Sequence, residues 1–127
     1  MSLKLLPDPP SALPALSEQD QEITDYLTDA MLTQCNLLRS LQGAPDVVPL
    51  SVYETDHDLH TLRPEDKGQW TAATHRAAME HIAAALRRAG FPAKLVTLNA
   101  AKYLRWLSRE GRQNSPENRA AFVSLSP

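Results

Sequence analysis

Between Gln69 and Gly111 the chain reads QWTAATHRAAMEHIAAALRRAG, then FPAKLVTL, then NAAKYLRWLSREG. This is the most strongly patterned stretch, and it constrains the fold more than any other. At about 100° per residue, Ala72, His75, Met79, Ile82, Leu86 and Ala89 fall on one face of a helix. Arg76, Glu80, Arg87 and Arg88 lie on the far side, among further alanines. Eight alanines between Ala72 and Ala89 favour helix and let neighbouring backbones approach closely, so a central helix with contacts on more than one side is expected. Pro64, Glu65 and Asp66 suit its first turn, because proline and acids are tolerated there. Gly90 and Pro92 end it.

Lys94 to Thr97 has β character and needs a partner, since a lone strand is not stable. The candidate is the run from Val47 to Tyr53, confined to an edge or a bulge by Pro49. Left unpaired, both runs are extended connections. Asn99 then caps a second helix with Ala100, Tyr103, Leu104 and Leu107 facing inward. Lys102, Arg105, Arg109 and Arg112 form a basic ridge on its opposite face, with Trp106 at the border.

Upstream, Ser17 starts a helix that runs to about Gln42 and stops at Gly43. Ile23, Tyr26, Leu27, Ala30, Met31, Leu37, Leu38 and Leu41 make a broad apolar face. Glu18, Glu22, Asp25 and Asp29 make an acidic ridge nearly opposite to it. Ser115-Pro116-Glu117 begins a short last helix, with Ala120, Ala121, Phe122 and Leu125 expected to dock it. Residues 44 to 63 read as irregular apart from the strand candidate. The reading is therefore a mainly α fold of about four helices in one domain over residues 17–127, with a two-stranded β element pairing 47–53 with 93–98. A proline-rich arm over residues 1–16 precedes it.

Charge divides the chain. Residues 1–63 hold three basic and ten acidic side chains, a balance of −7; residues 64–127 hold ten and five, a balance of +5. If both patterned helices bury their apolar faces in one core, the acidic and basic ridges point outward, so they meet between molecules and not within one. That leads to a non-catalytic binding, adaptor or regulatory protein acting by self-association, as a homo-oligomer, or on a protein partner. A second reading is a nucleic-acid-associated protein that uses Lys102, Arg105, Trp106, Arg109 and Arg112: cations neutralise phosphates, and an aromatic stacks on an unpaired base.

The third reading is a small metal-dependent enzyme. Asp56, His57 and His60 have the chemistry of ligands for a divalent ion, but no HExxH or cysteine pair accompanies them, and a solvated acidic loop that helps begin the next helix is the favoured reading. The single cysteine, Cys35, excludes a disulfide framework within the chain and reads as a small buried hydrophobe. Four glycines exclude a glycine-rich phosphate cradle, and no nucleophile elbow is present. No catalytic residue and no cofactor is assigned. With no apolar run of about 18 residues, and prolines interrupting the start, neither a membrane span nor a signal core is expected, and the reading is cytoplasmic.

Overall fold

The computed structural model describes residues 13–66 and 68–125. Its elements are α1 (Glu18–Gln42), β1 (Val48–Val52), α2 (Asp56–Leu62), α3 (Ala72–Arg88), β2 (Ala93–Thr97), α4 (Ala100–Glu110) and α5 (Pro116–Ser124). With the 3₁₀ turn Pro64–Asp66 the five helices bring the described residues to 64% helical, which makes this small single domain mainly α. Each starts on a side-chain cap. Ser17, Thr55, Thr71, Asn99 and Ser115 accept hydrogen bonds from the backbone N–H groups of Asp20, Asp58, Thr74, Lys102 and Asn118, at 2.9–3.1 Å. Gly43 ends α1 at φ 91°, which a side chain adopts only with strain, and its N–H bonds the Arg39 carbonyl.

The two expected strands do pair, in parallel, with Val48 opposite Ala93, Leu50 opposite Leu95 and Val52 opposite Thr97. Parallel pairing requires a long crossover, which α2 and α3 supply. Leu50 and Val52 are buried, and α3 packs on both strands. Pro49 lacks an N–H, so it suits a sheet in which β1 has a partner on one side only.

Helix α3 is central and makes contacts on more than one side. Ala72, His75, Ile82 and Leu86 are buried as the spacing predicts, and so are Ala77, Ala78 and Ala83. Two core clusters result. Tyr53, Leu59, Leu62, Leu98, Tyr103, Trp106, Leu107 and Val123 share one with Ala72 and Ala100. Cys35, Leu50, Ile82, Ala83, Leu86, Phe91 and Ala93 form the other. Helix α1 packs on α3 and runs parallel to it: Asp20 bonds Trp70 just before α3, while Arg39 near the far end of α1 lies over the Phe91 ring just after α3.

Two boundaries and the docked face of α5 differ from the sequence reading. Residues 56–62 are helical, not irregular, because Thr55 caps them and Leu59 and Leu62 are fully buried. Pro64–Asp66 is a separate 3₁₀ turn and not the first turn of α3. Gly68 at φ 85° reverses the chain there, and Thr71 caps afresh. In α5 the docked side chains are Arg119 and Val123, with Ala121 and Phe122 half-buried and Ala120 and Leu125 exposed.

Candidate interaction surfaces

The four acids of α1 are exposed, as the helical spacing predicts. The apolar face of α1 is only partly used. Leu27 and Met31 pack against the core, and Thr24 and Cys35 are buried at its centre, with the Thr24 hydroxyl donating to the Asp20 carbonyl at 2.7 Å. Tyr26, Leu37 and Leu41 are 74, 56 and 70% exposed, so these large apolar side chains stand in solvent. Together with Ala30 they recur at four, seven and four residues, which places them on one line of the helix between the buried face and the acidic ridge. The broad face read from the sequence thus divides into an inner half that packs and an outer stripe that does not.

On α4, Lys102, Arg105 and Arg109 are exposed; Arg112, expected on the same ridge, is also exposed but lies beyond the helix, which ends at Glu110 with Gly111 as its left-handed cap. Arg112 is engaged locally: it donates to Asn118 Oδ1 at 3.0 Å, and its guanidinium lies 5.1 Å from the centre of the Trp106 ring. Trp106 is not a surface aromatic. It is 8% exposed and packs against Tyr103 and Phe122, with ring centres 6.2 and 5.3 Å away. It therefore does not offer an open face for a base to stack on. Leu104, expected inward, is 42% exposed and exchanges places with Trp106, because the core lies toward α5 and its Phe122. Among the described residues the ion pairs are Arg63 with Glu65 and Asp66 and Arg76 with Glu80, so no pair involves either ridge.

Two of the three metal candidates, Asp56 and His60, bond the backbone around the start of α3. Asp56 Oδ1 accepts from Ala72 N at 2.7 Å, satisfying a free donor at the start of α3. His60 Nε2 bonds the Trp70 carbonyl oxygen at 2.8 Å, and His57 faces solvent. Among the described residues no group of three or more His, Cys, Asp or Glu is arranged to hold a metal ion. His81 bonds the carbonyl oxygen of Pro14, which tethers the end of the proline-rich arm to α3. The rest of the arm, residues 1–12, lies outside the described residues.

A polar cluster inside the domain escaped the sequence reading in part. His75 is 2% exposed and lies edge-on to Tyr53 and Trp70, with ring centres 5.2 and 6.0 Å away. Its Nδ1 is buried and unpartnered. Burial, reinforced by the charges of Arg63 and Arg119, pushes its pKa down to about 4, so the ring is neutral at pH 7. Arg119 is 7% exposed and donates from Nη1 to Asn114 Oδ1 at 2.8 Å and, more weakly, to the Leu62 carbonyl at 3.3 Å. Asn114 also donates to the Leu62 carbonyl and accepts from the Tyr103 hydroxyl. Burial pushes the hydroxyls of Tyr53 and Tyr103 up. No carboxylate stands in ion-pair distance of Arg119 among the described residues, and no nucleophile joins His75. The arrangement satisfies the end of α2 and the turn before α5 more readily than it moves a proton. Periodicity flagged His75, but nothing in the local pattern marks Arg119, whose partners are 5 and 57 residues away.

No protein-family model matches the chain, and comparison with curated proteins finds no relative. No helix among the described residues is long and apolar enough to cross a membrane.

Proposed function

We propose that this protein is a non-catalytic binding protein that acts by self-association through the outer faces of α1 and α4. One observation carries the reading. Helix α1 exposes an apolar stripe beside an acidic ridge, α4 exposes a basic ridge, and no ion pair among the described residues satisfies either ridge. Monomeric proteins rarely expose a line of large apolar side chains without a partner for it. Opposite charge beside such a stripe favours one docking arrangement over others and raises the rate of encounter. The test is the mass in solution of the Arg105→Glu/Arg109→Glu double variant at low salt. Loss of the oligomer supports the reading; an oligomer of unchanged mass counts against pairing of the ridges.

A second reading, nucleic-acid association, is favoured by the exposed cations Lys102, Arg105 and Arg109. With Trp106 buried, contact is to phosphates, so binding is insensitive to sequence and strongly weakened by salt. Absence of any shift of single- or double-stranded oligonucleotides at low salt would remove it.

A further inference from the structure

A groove of about 800 Å³ opens between the second half of α1, the segment leading into β1, and α5. Met31, Cys35 and Leu38 line its α1 side, Val47 and Val48 its floor, and Ala120 its α5 side. Its rim is apolar: Leu38 and Val47 are 40 and 43% exposed, and Leu41 and Leu125 adjoin lining residues. The charged residues that line it are Asp46 and Glu117, both acidic.

We propose that this groove is the seat of the chain's own N-terminal segment, Leu3-Lys4-Leu5-Leu6. Three observations lead there. The first is where the described chain begins. The Pro14 carbonyl bonds His81 Nε2 at 2.6 Å, and His81 stands nine residues into α3 from Ala72, roughly 14 Å up the helix. Helix α1 starts beside the opposite end, where Asp20 meets Trp70. The chain between Pro14 and Glu18 therefore runs backward along the helix pair, and its upstream end is already level with the middle of α1, where Met31 opens the groove.

The second is reach. Leu6 lies eight residue steps before Pro14, and extended chain covers about 3.3 Å per step, about 26 Å in all. A helix with its side chains is about 10–12 Å across, so the segment passes around one helix with length to spare. Proline fixes φ, so Pro7, Pro9 and Pro10 lower the entropy lost on docking.

The third is chemistry. The segment carries three leucines around a single lysine, and the groove joins apolar side chains to Gln34, Gln42, Ser124 and two acids. Leucines on the Leu38 and Val47 surface remove apolar area from water, while Lys4 meets Asp46 or Glu117. This occupancy uses neither charged ridge; it shares with the self-association proposed above only Leu41, which stands in the outer stripe of α1 and adjoins the groove lining at Gln42.

The test uses the full chain with Ser2→Cys and Cys35→Ser, carrying a nitroxide label at residue 2, observed by amide NMR. Seating in the same molecule predicts that the signals of Leu38, Val47 and Ala120 are lost with the oxidised label and return when it is reduced. Adding Leu5→Asp and Leu6→Asp should restore them without reduction. Intact signals at the groove with the oxidised label overturn the proposal. So does loss of signal that occurs only when labelled chain is mixed with isotope-enriched unlabelled chain, because the occupant is then a second copy.

Discussion

The indole N–H of Trp70 donates to Asp20 Oδ1 at 2.7 Å, across a sequence separation of 50 residues. This bond fixes the start of α1 against the approach to α3, and with it the direction in which the outer face of α1 points. A hydrogen bond to a charged acceptor is worth about 1.5–3 kcal/mol, more than one between neutral groups. Asp20→Ala should therefore lower unfolding stability by about 2 kcal/mol, and Asp20→Asn, which keeps an acceptor, by less. Urea unfolding monitored by Trp fluorescence measures both. Equal stabilities for Asp20→Ala and the unaltered chain would show that the bond contributes nothing net.

His75 makes stability depend on pH in a defined window. Its pKa in the folded chain, about 4, lies below the ordinary 6.5, so folding favours the neutral ring. The stability that this supplies is complete above pH 6.5 and is lost as the pH falls toward 4. The loss amounts to about 3 kcal/mol at about 1.4 kcal/mol per pH unit. His75→Leu should flatten the fall over that range, seen as a smaller difference in urea midpoint between pH 7 and pH 4.5. A fall of the same size in His75→Leu would assign the dependence to other groups.

Arg119 adds to that depression from a neighbouring buried position, after burial itself and Arg63. Arg119→Met should move the His75 titration upward, as read by imidazole NMR shifts against pH. The same substitution removes the Arg119 bonds to Asn114 and Leu62 and should cost about 1–3 kcal/mol. An unmoved His75 titration in a folded Arg119→Met protein would contradict the coupling.

How much of this was legible depended on range. Ser17, Asn99 and Ser115 act within one turn, so their caps could be read locally, and the stripe from Ala72 to Leu86 carries its own period. Pairing of the two β runs followed from there being no other partner; that they run parallel depends on the crossover through α2 and α3. Helix α2 was hidden because its seven residues hold two apolar positions, Leu59 and Leu62, too few to set a period. Trp106 and Leu104 could not be told apart by hydrophobicity. Which of them turns inward is decided by Phe122 on α5, outside the local pattern. Both ridges were legible as spacing, whereas the outer stripe of α1 was not, because spacing does not say how many neighbours a helix has.

The outer stripe yields its own prediction. Tyr26 and Leu41 are exposed, so Tyr26→Ser and Leu41→Ser should leave the unfolding midpoint within the small range usual for surface substitutions, about 0.5 kcal/mol. If the stripe is an interface, the same pair should lower the mass of the protein in solution at about 50 mM salt, where exposed charge pairs are least screened. Unchanged mass in a folded double variant would remove the stripe from the interface.

The most direct measurement is the absolute mass of the unaltered protein by light scattering after size exclusion, at about 50 mM and about 500 mM salt, since exposed charge pairs are heavily screened at the higher value. Pairing of the α1 and α4 ridges between molecules predicts an oligomer at low salt that dissociates at high salt. A monomer of 14.1 kDa at both would contradict self-association, and the exposed cations of α4 would then point to a nucleic-acid partner.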